Sequence, residues 1–173
     1  MDGMTIRAAT AADAVSLAEF AERVFDEVFS PGNDEGDMAS YMTEAFGPRQ
    51  QRAEITEPGA IVLIAEDPAG AIAGYLHITA SETPACVPAP AIELKRLYVD
   101  PRRHSRGLGK RLLDDGIARA AASGATRIWL GVWEHNVRAQ QFYAREGFTR
   151  AGEHIFMLGS DPQTDWIMQR PIA

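Results

Sequence analysis

The sequence predicts a mixed α/β domain of the α+β-like kind, on three observations. Apolar runs of strand length alternate along the chain with segments of helical period. Their order is strand, helices, three strands, helix, strand, helix, two strands, which gives one mixed sheet of about seven strands. The 173 residues, 46% hydrophobic and 24% charged, suffice for one globular core but not for two, so residues 1–173 are expected to form a single domain.

Thr5–Ala8 reads as a short opening strand. Thr10 then starts a helix, with Asp13 favouring its first turn. Ala14, Leu17, Ala18, Ala21, Val24, Phe25 and Val28 fall at helical spacing, with Glu19, Glu22, Arg23, Asp26 and Glu27 between them. Ser30-Pro31-Gly32-Asn33 ends that helix. Asp37–Phe46 and Pro48–Ile55 read as one or two shorter helices, Pro48 suiting a first helical position. Ala60–Glu66 and Ile72–Thr79 are strands joined by the turn Asp67-Pro68-Ala69-Gly70. Ser81–Pro90, with three prolines, is a loop. Ile92–Val99 is a third strand, closed by Asp100-Pro101. A helix follows from Gly107 to about Ser123, stopped by Gly124. Arg127–Trp133 is a strand and Asn136–Glu146 a helix ended by Gly147. Phe148–Leu158 and Thr164–Arg170 form a closing hairpin around Gly159-Ser160-Asp161-Pro162.

Composition narrows the function. With 24 Asp and Glu against 17 Lys and Arg, the formal charge is −7. That disfavours nucleic acid, whose binding rests on a basic surplus. No apolar run approaches the ~20 residues needed to span a bilayer, and MDGMTIRAAT lacks a signal-peptide pattern. The single cysteine, Cys86, allows no internal disulfide, so a cytoplasmic location is expected. His77, His104, His135 and His154 show no ligand spacing with it, so no metal is expected.

One basic stretch interrupts the acidic chain. LKRLYVDPRRHSRGLGKRLL is a strand end, a loop and a helix start in direct succession. The first N–H groups of a helix are unpartnered and partly positive, Gly107 and Gly109 allow close approach to them, and Arg102, Arg103, Arg106, Lys110 and Arg111 add charge. A phosphate or pyrophosphate is the natural ligand. Neither a dinucleotide fingerprint nor a Walker loop fits, because Leu112 stands where the first needs glycine and Arg111 where the second needs Ser or Thr. In WEHNVRAQQFYAREGF, Asn136 begins a helix, where its amide can cap the backbone or bind a ligand.

Together the two segments resemble the GNAT superfamily of acetyl-CoA-dependent N-acetyltransferases. His104-Ser105-Arg106-Gly107-Leu108-Gly109 follows that family's Gln/Arg-x-x-Gly-x-Gly/Ala loop, His104 departing at the first position. Asn136, Ala139, Phe142, Tyr143, Gly147 and Phe148 complete its second pattern. The resemblance implies a twisted central sheet with helices on both faces, and acetyl transfer from acetyl-CoA to a primary amine by direct attack on the thioester. It implies that His104, Ser105, Arg106, Gly107, Leu108, Gly109 and Lys110 hold the pyrophosphate. Backbone N–H groups of Leu97, Tyr98 and Val99 would face the thioester. Asn136 would hold the pantetheine arm or order a water, Ala139 and Phe142 would help bind the cofactor, and Arg145 would meet a CoA phosphate. Tyr143 matches the proton donor to the departing thiolate. Glu93 falls where some members carry a general base; the alternative is an ion pair with Lys95 or Arg96. An amine with a pKa near 10.4 is about 99.9% protonated at neutral pH, so freeing its lone pair costs roughly 4–5 kcal/mol.

The tail HIFMLGSDPQTDWIMQRPI, with Phe29, Pro31, Asn33 and Asp37-Met38 near the front, is similar to the PaiA-type spermidine/spermine acetyltransferases. That implies a polyamine acceptor, with Asp34, Glu35, Asp37, Glu44, Glu82, Asp161 and Asp165 as acids to line its groove, and it admits a homodimer. A peptide N-terminus, an aminoglycoside-like amine and a non-catalytic acyl-CoA sensor stay open as alternatives.

Overall fold

The computed structural model describes residues 3–103 and 107–172. The elements follow the expected order: β1 (Thr5–Ala8), α1 (Ala14–Phe29), α2 (Glu35–Phe46), α3 (Pro48–Thr56), β2 (Ile61–Glu66), β3 (Ile72–Thr79), β4 (Ile92–Val99), α4 (Leu108–Ala122), β5 (Arg127–Trp133), α5 (Val137–Arg145), β6 (Thr149–Leu158) and β7 (Asp161–Pro171). The seven strands form one sheet in the order β1-β2-β3-β4-β5-β7-β6, in which only β4 and β5 are parallel. No described helix is long and apolar enough to cross a membrane.

Local chemistry sets the element ends. Thr10 opens a 3₁₀ turn over Ala11–Asp13 rather than α1 itself, and the Asp13 carboxylate accepts from the Thr10 backbone N–H at 2.7 Å and from its hydroxyl at 2.9 Å. The Asp34 side chain accepts from the N–H groups of Gly36 and Asp37, so α2 begins two residues earlier than expected. Pro48 does occupy the first turn of α3. The final hairpin turns tightly on Gly159-Ser160, and β7 starts at Asp161 rather than Thr164. Residues 161–163 of β7, ahead of Asp165, the partner of the last β5 residue, are paired only with β6. Such an edge tolerates Pro162, the residue that argued for a loop.

Helices cover both faces of the sheet. On one face Leu112, Leu113 and Ala120 of α4 and Tyr143 of α5 share a core with Leu76, Ile78, Leu94, Ile128, Leu130 and Val132. Gly116 lets α4 lie close on β3, because a Cβ there would stand 2.8 Å from a Leu76 methyl. On the other face Leu17, Ala21, Val24 and Phe25 of α1 and Met38 and Phe46 of α2 pack on Val62, Ile64, Tyr75 and Leu158. The stripe anticipated for α1 is buried except at its end, where Val28 is exposed, and Phe20 is buried with it.

Candidate active site

Two irregularities of β4 make the site. Its parallel pairing with β5 covers only Ile92 with Ile128 and Glu93 with Trp129, although β4 continues to Val99 and β5 to Trp133. The two strands therefore fork from Leu94 onward. The β3–β4 register also shifts, Ile78 pairing with Leu94 but His77 with Arg96, so Lys95 is the extra residue of a bulge. Asp100 N–H donates to Ala73 O, and antiparallel alternation then makes Tyr98 and Tyr75 a hydrogen-bonded pair. The backbone groups of Leu97 and Val99 turn toward the fork, while Tyr98's N–H faces β3.

The fork opens into a cleft of about 660 Å³ that reaches both faces of the sheet. From the α4–α5 face it is lined by Gly107, Leu108, Gly109, Lys110, Asn136, Ala139, Phe142, Tyr143 and Arg145. From the α1–α2 face it is lined by Phe25, Phe29, Tyr41, Trp133, His154, Phe156 and Asp165, and Glu93 stands between them on β4. Gly107 opens α4 at φ 74°, a left-handed conformation in which glycine is unstrained. Nothing lies within 4 Å of where its Cβ would be. The first turn of α4 borders the cleft, and its N–H groups, which have no partner within the helix, suit a pyrophosphate.

Tyr143 is buried between Phe142 and Phe148, ring centroids 5.2 and 5.5 Å away. Burial raises its hydroxyl well above the usual phenol range, so it stays protonated and can donate. Asn136 caps α5, its Oδ1 accepting from Ala139 N–H at 3.1 Å. Its amide nitrogen makes no hydrogen bond among the described residues, and the side chain borders the cleft.

Residues 21–148 match the Acetyltransferase (GNAT) family. The chain belongs to the GNAT acetyltransferases. An uncharacterized N-acetyltransferase from the pepI 3′ region in Lactobacillus delbrueckii subsp. lactis is 31% identical over 174 residues, covering 100% of both chains. An uncharacterized N-acetyltransferase of Mycobacterium tuberculosis (strain ATCC 25618 / H37Rv) is 32% identical over 161 residues, 93% of this chain and 99% of its own length. Among solved structures, the PaiA N-acetyltransferase from Thermoplasma acidophilum in complex with coenzyme A shares the fold, with a TM-score of 0.80 over 97% of this chain and 98% of its own at 22% identity. The protein is an acyltransferase of GNAT type, and acetyl-CoA is its cosubstrate.

Within this GNAT site several sequence expectations change. The basic loop was read as free positive charge, but Arg102 binds Asp100, Arg103 binds Asp67, Lys110 binds Asp114 and Glu146, and Arg111 donates to the Met4 carbonyl. Carboxylates and one backbone carbonyl occupy these cations, Asp67 and Glu146 from distant positions and Asp100 and Asp114 from nearby ones, while Arg145 lines the cleft. His104, Ser105 and Arg106 lie outside the described residues. Lys95 and Arg96 were offered as partners of Glu93, yet both bind Glu54 of α3, at 3.0 and 2.5 Å. Glu93 lines the cleft with no ion-pair partner among the described residues.

The acids proposed for a polyamine groove divide as well. Asp34 is the α2 cap, and Asp37 accepts from the Ser160 backbone N–H and hydroxyl, tying α2 to the β6–β7 turn. Of that set only Asp165 lines the cleft. Sequence reasoning passed over Glu54 and Gly131, and it weighed His154 only as a metal ligand and as part of the PaiA-like tail. Gly131 carried a signal, as a glycine in the middle of a strand, where it marks a close approach.

Proposed function

We propose that this GNAT enzyme moves the acetyl group of acetyl-CoA to a primary amine of a small cation, a polyamine such as spermidine or spermine. The observation that carries the reading is the acceptor half of the cleft. Its walls are aromatic, from Phe25, Phe29, Tyr41, Trp133 and Phe156, and the carboxylates of Glu93 and Asp165 enter it from different strands. An acceptor of alternating methylenes and ammonium groups suits both features, since rings and carboxylates each attract cations. The PaiA-type fold neighbour adds to this reading, and the acidic chain repels no polycation.

Acetyl-CoA supplies an activated acyl group and a thiolate leaving group. The α4 N-terminus holds its pyrophosphate and Arg145 a further phosphate, while Asn136, Ala139 and Phe142 border the pantetheine arm. The backbone N–H of Leu97 at the fork of β4 stabilises the oxyanion, a contribution worth about 2.7–4 kcal/mol per donor in other enzymes. The Tyr143 hydroxyl gives its proton to the sulfur, and a carboxylate of the cleft receives the proton of the ammonium. A cytoplasmic enzyme would meet both substrates.

The test compares kcat/KM for spermidine with that for a monoamine of similar length at rising ionic strength. The polyamine is expected to be preferred, and salt to erode the preference as ion pairs are screened over about 8–10 Å. Equal, salt-insensitive turnover would remove the polyamine and leave the acetyltransferase.

A further inference from the structure

Among the described residues, Asp165 is a carboxylate largely out of solvent with no hydrogen-bonded cation. Asp13, Glu54 and Asp100 are also largely buried, and each is met by an arginine at hydrogen-bonding distance. Asp165 is 13% exposed at its side chain, and among the described residues it accepts no hydrogen bond. The nearest cationic atom is His154 Nε2, 3.9 Å from its Oδ2. That nitrogen is itself buried without a hydrogen-bond partner. Buried polar atoms are normally satisfied, and an unsatisfied imidazole nitrogen beside an unbonded carboxylate at a cleft points to a ligand or a proton.

The backbone makes room for the pair. Trp133, Asp165 and His154 stand in one cross-strand row over β5, β7 and β6. Gly131, two residues back from Trp133, is therefore on the same face. A Cβ on Gly131 would lie 3.0 Å from His154 Nε2 and 3.2 Å from Asp165 Oδ2. The missing side chain leaves a notch in the cleft wall into which both groups project.

We propose that Asp165, standing with His154 in the notch above Gly131, is the group that takes the proton from the reacting ammonium. This rests on the reading of the site as an amine acetyltransferase. One proton passes from R–NH3+ to the carboxylate and leaves through the half-exposed imidazole to solvent. The freed amine forms the C–N bond to the thioester carbon as the C–S bond breaks. The second proton of that nitrogen returns through solvent to Tyr143, which gives its own to the sulfur, so an amide, a thiol and one proton are released. Glu93, on the opposite side of the cleft, holds an ammonium that does not react.

Burial raises the Asp165 carboxyl to about 6, an effect opposed by His154 and reinforced by Glu134. The change brings it about two units, or about 100-fold, closer to an amine's basicity while leaving it ionised at neutral pH. The other titratable groups facing it are Tyr41 from α2 and, across the cleft, Glu93, Lys95 and Arg96 of β4. From α1 the cleft receives only Val24, Phe25, Val28 and Phe29.

The experiment is the pH profile of kcat/KM for spermidine in wild type, Asp165→Asn, His154→Gln and Glu93→Gln, with CoA affinity measured by calorimetry to confirm each fold. Wild type is expected to lose activity as pH falls through about 6, because a protonated carboxyl cannot accept. Asp165→Asn should lose about 10²–10⁴ in kcat. Its activity should return with trifluoroethylamine, whose nitrogen is already unprotonated at neutral pH. His154→Gln should move the acid limb to higher pH, since a cation that favours the ionised carboxylate is gone. An Asp165→Asn enzyme with wild-type kcat and limb, or a limb that disappears in Glu93→Gln instead, overturns the assignment and leaves the amine reading intact. Absence of amine turnover by wild type overturns both.

Discussion

Glu54→Gln separates the electrostatics beneath the cleft from the chemistry inside it. The Glu54 carboxylate is 6% exposed and Arg96 likewise 6%. Between them they hold the bulge of β4: Glu54 binds Arg96 at 2.5 Å, Lys95 at 3.0 Å and Gln50 at 3.0 Å, with His77 Nδ1 3.6 Å away. Nearby cations hold the Glu54 carboxyl below its ordinary range against the opposing effect of burial. Glutamine keeps the shape but leaves Arg96 charged and uncompensated among Tyr75, Tyr98, Tyr41 and Phe46. Breaking such a pair on one side costs about 3–5 kcal/mol. In a protein of this size each kcal/mol shifts Tm by about 2–4 °C, so Tm should fall by roughly 6–20 °C. Urea denaturation followed by circular dichroism gives the free energy directly. The double variant Glu54→Leu with Arg96→Met, which removes both charges, should lose less than Glu54→Gln alone. A loss below about 1 kcal/mol for Glu54→Gln would refute the reasoning, because Arg96 would then be solvated or paired elsewhere.

Three further outcomes follow from the same geometry. Tyr143→Phe should lower kcat by about 10²–10⁴ with little change in CoA affinity, which steady-state kinetics and calorimetry together resolve. Gly107→Val places a β-branched side chain at φ 74° and should cost stability by about 1–2 kcal/mol while weakening CoA binding, both readable from thermal shifts with and without CoA. His77 is 1% exposed, and burial chiefly lowers its imidazole to about 4. The native imidazole is neutral while the unfolded one titrates near 6.5, so stability should fall as pH drops from about 6.5 toward 4, by about 3 kcal/mol in all. His77→Gln should flatten that part of a urea-midpoint profile against pH.

How much of this was legible in the sequence varied with the range of the interaction. Elements set by local chemistry were readable: the α1 stripe, Pro48 at the start of α3, Gly107 before α4 and the Asn136 cap all depend on residues within one or two turns. The ends of α2 and β7 shifted because Asp34 caps a helix read as starting later, and because Pro162 lies where β7 has lost its β5 neighbour. The cofactor half of the cleft could be anticipated because it is assembled from two contiguous motifs, although the loop's cations are paired with Asp67, Asp100, Asp114 and Glu146. The acceptor half was largely hidden. Asp165 is one of the seven acids that the resemblance offers for the polyamine groove, and what distinguishes it is register: pairing with Trp133 on one side and His154 on the other. Glu54 reaches Arg96 across 42 positions, and no local pattern marks such a pair. The bulge at Lys95 likewise arises from strand pairing, since Ile92–Val99 reads as one uninterrupted strand.

The most direct test of the central claim is free-thiol release from acetyl-CoA by the wild-type enzyme with and without spermidine, with the amine product followed by mass spectrometry. Thiol release that depends on the amine, with one acetyl group appearing on the polyamine per thiol formed, is the predicted result. CoA binding accompanied by no amine-dependent thiol release across polyamines, monoamines, peptides and aminoglycosides would contradict it.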